Sequence, residues 1–166
     1  MGRPNKSEEK RQQILDAFER IILKEGYAKA SQRKIAEEAK VNQPMIHHYF
    51  SGSDELLNAL LKRVVSRYRE ALAQFISQQS DPSLEGLMSF VCSEQFHEIS
   101  LQNEVFFALI GQGGHQDSVF NKMAGVYQEF LQTVTHLLEA ANVKNPERAA
   151  YLTMCFIIGH DWAKKL

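Results

Sequence analysis

Apolar residues recur every three or four positions along most of the chain, which is the spacing of α-helices with one buried face. Segments that alternate strictly between apolar and polar residues, as strands do, are scarce. The pattern therefore predicts an all-α protein. The predicted helices cover residues 8–25, 31–39, 43–50, 53–79, 84–96, 105–110, 119–141 and 146–164.

Short polar residues and glycines mark the ends of several predicted helices. Ser7, Ser31 and Asn42 stand where a side-chain oxygen could accept a hydrogen bond from the first turn of a helix. Gly26 is expected to end the first helix in a left-handed conformation. Pro146 suits the first position of the last helix, where its missing N–H costs little.

Two short predicted helices in residues 31–50 are joined by a three-residue turn at 40–42. This arrangement is typical of a helix-turn-helix, whose second helix enters the major groove of DNA. The apolar positions fit such a motif because they fall on the inward sides of both helices and in the turn. These positions are Ile35, Ala36, Ala39, Val41, Ile46 and Phe50.

The polar side chains left on the outside of this motif are candidates for contacting DNA. We expect Arg33, Gln43 and His47 to contact base edges, and Lys6 and Lys40 to contact mainly phosphates. The complete predicted DNA-contacting set is Lys6, Ser31, Gln32, Arg33, Lys34, Lys40, Asn42, Gln43, Pro44, Met45, His47, His48, Tyr49 and Ser53.

Other chemistry has little support in the sequence. His47 and His48 are adjacent and face different directions on a helix, so they suit a shared metal ion poorly. Besides DNA contact, a plain surface or packing role stays open for them. The glycine-rich run at 111–114 predicts a turn rather than a phosphate loop, because no strand precedes it and no Lys-Ser/Thr follows. No catalytic residue, metal or cofactor is predicted.

Charge is distributed unevenly along the chain. Residues 1–69 carry 14 Lys and Arg against 9 Asp and Glu, whereas residues 70–166 carry 5 against 11. A basic N-terminal part and an acidic remainder are expected when one end of a protein meets a polyanion. The charge pattern therefore favours DNA as a partner of the N-terminal part.

The two cysteines and the hydropathy pattern bear on the cellular compartment. Cys92 and Cys155 lie among apolar residues and are expected to be buried, reduced thiols, with a redox pair as the alternative. Neither a signal peptide nor an apolar run of membrane-spanning length is evident, so we expect a soluble, cytoplasmic protein with no membrane partner.

The stretch 7–65 resembles the DNA-binding module of the tetracycline-repressor (TetR) family of bacterial regulators. The resemblance lies in Gly26, Ser31, Ile35-Ala36, Ala39-Lys40-Val41, His47-His48-Tyr49-Phe50 and Ser53-Asp54-Glu55-Leu56. It implies a dimeric regulator, in most cases a repressor, that binds a near-palindromic double-stranded operator and responds to a ligand in its helical body. Three residues depart from the family pattern: Lys40 replaces a usual Gly, His47 a common Tyr, and Ser53 a frequent Lys.

We predict a helix-turn-helix domain at 1–52 and a regulatory and dimerisation domain at 53–166, joined through the helix at 53–79. Bulky aromatic and methionine residues are frequent in the second domain, where they form either a plain core or, as the resemblance implies, a pocket for a small apolar or amphipathic effector. The predicted lining is Gln95, Phe96, Phe106, Phe107, His115, Phe120, Met123, Tyr127 and Asp161, with Gln95 expected on the inward side of its helix.

The last two predicted helices, 119–141 and 146–164, are apolar on more than one side, which predicts a homodimer built from them. Two other functions stay open at this point. One is a constitutive DNA-binding protein or a helical adaptor without a ligand. The other is an enzyme with an all-α body, which the absence of an acid/base or nucleophile arrangement disfavours.

Overall fold

The computed structural model describes residues 6–78, 83–102, 104–113 and 117–163. Their regular structure consists of α-helices and one short 3₁₀ turn at Tyr27–Lys29, so the predicted all-α class is confirmed. The helices are α1 (Lys6–Glu25), α2 (Gln32–Glu38), α3 (Gln43–Tyr49), α4 (Ser53–Ser77), α5 (Leu84–Val91), α6 (Glu94–Gln102), α7 (Glu104–Gly113), α8 (Asp117–Ala140) and α9 (Pro146–Ala163).

Two of the four predicted helix ends in the N-terminal part are confirmed. The side chain of Ser31 accepts a hydrogen bond from Lys34 N at 3.4 Å, and that of Asn42 accepts one from Met45 N at 3.0 Å. Gly26 follows α1 with φ 94° and ψ 156°, a positive φ that favours glycine but not the left-handed helical conformation that was predicted. Ser7 lies inside α1, so its predicted capping role is wrong.

Two predictions for the later helices are wrong. The single helix expected at 84–96 is divided into α5 and α6, because the Ser93 hydroxyl accepts a hydrogen bond from Phe96 N at 3.2 Å and starts a new helix. The turn expected at 111–114 does not begin at its first glycine, since α7 continues through residues 111–113. Glycine lowers helix stability by only about 1 kcal/mol, which neighbouring turns can offset.

The chain divides into two compact units. The first unit contains Met1–Arg63 and Glu104–Lys122, and the second contains Val64–Asn103 and Met123–Leu166. Both α4 and α8 contribute residues to each unit. The functional boundary predicted between residues 52 and 53 is a different kind of division and stays a prediction.

In the first unit, α1 packs against α2 and α7, and α2 packs against α3. The inward positions predicted for the helix-turn-helix are buried, with the exception of the half-buried Val41. Burial of Ile35, Ile46 and Phe50 to 1% exposure or less fixes which sides of α2 and α3 face outward.

In the second unit, α5 packs against α6 and α9, and a series of aromatic rings connects four helices. Phe75 of α4 stacks on Phe90 of α5 with 4.4 Å between ring centroids, and Phe90 meets Phe96 of α6 at 5.4 Å. Tyr68 of α4 lies 5.7 Å from Phe96 and 5.6 Å from Phe130 of α8. Aromatic pairs at such distances contribute beyond the area that they bury.

Both cysteines are exposed, so the prediction that they are buried is wrong. Cys92 directly follows the last turn of α5, and Cys155 lies on the side of α9 that also exposes Tyr151 and Leu152. Apolar neighbours in sequence thus did not imply burial, because that side of α9 is itself apolar and exposed. No helix among the described residues is long and apolar enough to cross a membrane.

Candidate nucleic-acid interface

The outer side of α3 is formed by polar residues in its first two turns. Gln43, Pro44, His47 and His48 are exposed there, while Ile46 occupies the buried side. Asn42 caps the helix with an exposed side chain. These exposed side chains occupy the end of a helix that would meet base edges in a major groove.

Two further predicted contact residues on α3 are half-buried. Met45 lies partly against the rest of the unit, and the Tyr49 ring meets the His48 ring edge-on at 4.9 Å between centroids. Both side chains are therefore restricted by neighbours, in contrast to the exposed His47. Lys6, the first residue of α1, is exposed.

The polar residues of α2 differ in how firmly they are held. Arg33 exposes 77% of its side chain, and its Nε lies 3.9 Å from Glu37 Oε1, a long surface ion pair of little energetic weight. Lys34 donates from Nζ to Glu25 Oε2 at 2.5 Å, so it connects the end of α1 to α2. That hydrogen bond and the lysine charge lower the pKa of Glu25. Gln32 is half-buried, and Ser31 is exposed at the cap.

The turn between α2 and α3 is fixed from α1. Gln13 of α1 donates from Nε2 to Ala39 O at 2.6 Å, and Val41 N donates to Ala36 O at 3.0 Å. Lys40 lies between them, exposed, with φ 52°. A left-handed conformation disfavours any residue with a Cβ by about 1 kcal/mol, so this lysine is kept in a position that favours glycine.

The link between α3 and α4 is also held by specific contacts. The guanidinium carbon of Arg11 lies 4.7 Å from the centroid of the buried Phe50 ring. A carboxylate oxygen of Glu55 accepts a hydrogen bond from Ser51 N at 2.7 Å, and this bond lowers the pKa of Glu55. Ser53, a member of the predicted DNA-contacting set, is exposed at the first position of α4.

Arg63 connects α4 to α1. Its Nη1 donates to Asp16 Oδ1 at 2.5 Å, and its Nη2 donates to a carboxylate oxygen of Glu19. Only 14% of the Arg63 side chain is exposed, so this ion pair is much less screened by solvent than those on α2. This ion pair is not evident from the sequence, because neither its spacing nor its residue types form a local motif.

The predicted ligand-lining residues are divided between the two units, whereas the predicted DNA-contacting residues all belong to the first. Gln95 is exposed, so the prediction that it lies on the inward side of its helix is wrong: with α6 starting at Glu94, Phe96 takes the inward position. The described members are divided between the first unit, with Phe106, Phe107 and Phe120, and the second unit, with Phe96, Met123 and Tyr127.

The environments of these aromatic residues also differ. Phe96, Phe107 and Met123 are buried, Phe106 and Tyr127 are half-buried, and Phe120 is 62% exposed. His115 lies outside the described residues, as does the side chain of Asp161. The second unit has a groove of about 390 Å³ that the sequence analysis missed, formed by Arg69, Glu70, Ala73, Thr133, His136 and Leu137.

The part of the chain that contains these features is similar to known proteins. The sequence model of the tetR family of bacterial regulatory proteins matches residues 14–60, from the middle of α1 into α4. A relative named HTH-type transcriptional regulator PksA, from Bacillus subtilis (strain 168), is 29% identical over 141 residues, which cover 82% of this chain and 68% of PksA. The chain is thus similar to the tetR family over its helix-turn-helix part. The relatives found in this way are named as transcriptional regulators, not as enzymes.

Other relatives match a smaller share of the chain or share only its fold. The HTH-type transcriptional regulator HbdR from Aromatoleum sp. (strain CIB) is 33% identical over 79 residues, which cover 48% of this chain and only 34% of HbdR. Among solved structures, the transcriptional regulator FadR from Bacillus subtilis superimposes with a TM-score of 0.71 at 20% identity, covering 93% of this chain and 87% of FadR. At that identity the similarity shows a common fold.

Proposed function

We propose that this chain is a tetR-family regulator that acts as a ligand-responsive repressor. It binds a near-palindromic double-stranded operator as a homodimer, with α2 and α3 of each subunit in the major groove. The observation that carries the DNA-binding part is the outer side of α3. Its exposed Gln43, His47 and His48 lie on a helix whose preceding turn is fixed from α1 by Gln13. A two-fold symmetric dimer explains the symmetry expected of the operator.

We assign different roles to the contact residues according to how they are held. Arg33, Gln43 and His47 are exposed and contact bases, whereas Lys6 and Lys40 contact phosphates and carry no sequence preference. Lys34, held by Glu25 at 2.5 Å, mainly orients α2. Binding is therefore expected to combine a salt-dependent phosphate contribution with a separate contribution from base contacts.

The dimer proposal is supported by the exposed side of α9. Tyr151 and Leu152 are 54% and 44% exposed, and Cys155 is exposed one turn later. Large apolar residues that share one exposed side of a helix are typical of a surface that a second subunit covers. Light scattering is expected to give twice the 19.0 kDa subunit mass, and a monomer at micromolar concentration would contradict the proposal.

A small apolar or amphipathic effector remains part of the proposal. The solved FadR structure with this fold contains stearoyl-CoA, an amphipathic molecule, which supports such a ligand here. Constitutive DNA binding is a second candidate, favoured by the direct contacts that the Phe96 ring makes with the Tyr68 and Phe90 rings. Thermal-shift measurements with acyl-CoA and with small aromatic cations distinguish the two candidates, since a constitutive binder responds to none of them.

The DNA-binding proposal is tested by selecting oligonucleotides from a random double-stranded pool. We expect enrichment of a near-palindromic sequence, with affinity that falls steeply as salt rises. Arg33→Ala should reduce affinity for the selected operator by about 1–3 kcal/mol and relax preference at one base position. Equal losses on the operator and on random DNA would remove Arg33 from base recognition, and failure to enrich any sequence would contradict the proposed function.

A further inference from the structure

Lys122, near the start of α8, contacts the first two turns of α4 within the first unit. Its Nζ lies 3.3 Å from Asp54 Oδ1 and donates a hydrogen bond to Asn58 Oδ1 at 3.2 Å. The two acceptors are one helical turn apart, so a single ammonium group contacts them both. The lysine side chain is 23% exposed, which means that most of it packs against protein.

This position on α4 lies close to the end of the proposed recognition helix. Only residues 50–52 separate α3 from α4. Phe50 N donates to Ile46 O at 2.8 Å, and Glu55 of α4 accepts from Ser51 N at 2.7 Å. Because both sides of this link are hydrogen-bonded, a shift of the first turn of α4 is transmitted to the end of α3.

Asp54 is placed to take part in this arrangement. It lies in the first turn of α4, directly after Ser53, and its carboxylate interacts with more than Lys122. The pKa of Tyr27 is raised, first by burial of its hydroxyl and second by the negative charge of Asp54. The carboxylate of Asp54 is therefore near enough to influence the Tyr27 hydroxyl and also contacts Lys122 of α8.

We propose that Lys122 is a positioning residue for DNA binding, which holds the first two turns of α4 through Asp54 and Asn58 and so fixes the end of α3. This inference rests on the DNA-binding function proposed above. Lys122 lies in neither the helix-turn-helix nor the predicted DNA-contacting set. Its ammonium group is occupied by two protein acceptors, so it acts through α4 and not through a phosphate.

The test compares Lys122→Met with wild type on the selected operator and on random DNA, over a range of salt concentrations. We expect operator affinity to fall about threefold to tenfold, which is the size of effect that coupled neighbours produce. Affinity for random DNA and the dependence on salt should hardly change, because no phosphate contact is lost. Lys122→Arg should restore most of the operator affinity, since a guanidinium can contact the same two acceptors.

A second background separates positioning from direct contact. In the double variant Asp54→Ala/Asn58→Ala, Lys122→Met should change operator affinity by less than about 1.5-fold, because the groups through which it acts are gone. A direct phosphate contact would instead give the same loss in both backgrounds and reduce the salt slope by about one unit. Lys144→Met is the matched control, since it removes an exposed lysine that lies in the second unit.

Two further outcomes would overturn the inference. If Lys122→Met binds the operator as tightly as wild type, the inference is wrong but the proposed function stays intact. If the wild-type protein selects no operator, the proposed function itself is contradicted. If Lys122→Met loses its helical circular dichroism, Asn58→Ala replaces it, because Asn58 is exposed and its substitution removes one acceptor only. Asn58→Ala is expected to lower operator affinity about twofold, and unchanged affinity would contradict the inference.

Discussion

Each of the two units is stabilised internally by a different kind of contact. In the first unit, directional polar contacts join separate helices: Gln13 to the α2–α3 turn, Lys34 to Glu25, and Arg63 to Asp16. The second unit has its series of aromatic rings across four helices. Short helices that must keep a fixed orientation therefore need contacts with defined geometry, whereas longer helices are stabilised by apolar packing that depends little on direction.

Removing a ring from the aromatic series should have the largest effect on stability. Phe96 is 1% exposed and contacts both Tyr68 and Phe90, so Phe96→Ala is expected to lower the free energy of unfolding by about 3–5 kcal/mol. Urea denaturation followed by circular dichroism measures this loss. Phe120→Ala is the control, because Phe120 is largely exposed and its removal should change stability by less than about 0.5 kcal/mol.

A loss below about 1 kcal/mol for Phe96→Ala would show that the surrounding helices collapse into the vacated space. The second unit would then be adaptable enough to repack around a ligand, which would sharpen its contrast with the first unit.

Loss of the Arg63 ion pair should have the next largest effect. Arg63→Met leaves the Glu19 carboxylate, which is 13% exposed, without this guanidinium. We expect a decrease of about 2 kcal/mol in the free energy of unfolding, less than for a fully buried pair because Asp16 remains half exposed. Lys62→Met removes an exposed neighbouring cation, and an equal loss in that variant would mean that net charge, and not the specific pair, explains the result.

Replacing Lys40 should change stability and DNA binding in opposite directions. Lys40→Gly relieves the positive φ and is expected to raise the free energy of unfolding by about 1 kcal/mol. The same change should weaken binding to all DNA sequences and reduce the salt slope by about one unit. Lys40→Ala keeps the strain but removes the charge, so it should reproduce the binding loss without the gain in stability.

The smallest expected effect is a loss of stability in acid. The pKa values of Glu25 and Glu55 lie below the ordinary 4.5, because Lys34 and Ser51 N respectively donate hydrogen bonds to the ionised forms. The stability that these two carboxylates contribute is therefore complete above pH 4.5, and it disappears as the pH falls through their lowered pKa values. Thermal unfolding across this range should show a shallower decrease in the double variant Glu25→Gln/Glu55→Gln than in wild type.

The sequence predicted the first four helices well because their signals are local. Ser31 and Asn42 cap helices whose apolar sides were recognisable from spacing alone. The break at Ser93 was missed, since the apolar spacing continues across it and only the hydroxyl contact with Phe96 N marks the new helix. Gln95 was predicted on the inward side for the same reason, because the helical register changes where α6 begins.

The candidate site was predictable only in part, for a related reason. The outward positions of α3 follow from the helical period and the buried Ile46. The contacts that fix these positions join distant residues: Arg63 and Asp16 are 47 positions apart, and Lys122 and Asn58 are 64 apart. Nothing local in the sequence indicates which charged residues will meet after folding.

The packing of α7 on α1 has a consequence for protein engineering. Val105 and Leu109 of α7 are fully buried in the first unit, although they follow the helix-turn-helix by more than fifty positions. A chimaeric regulator that joins residues 1–52 to an unrelated sensor domain would expose the apolar side of α1 that α7 covers. Grafting the DNA specificity of this chain onto another protein therefore requires transplanting α7, or redesigning the α1 surface to be polar.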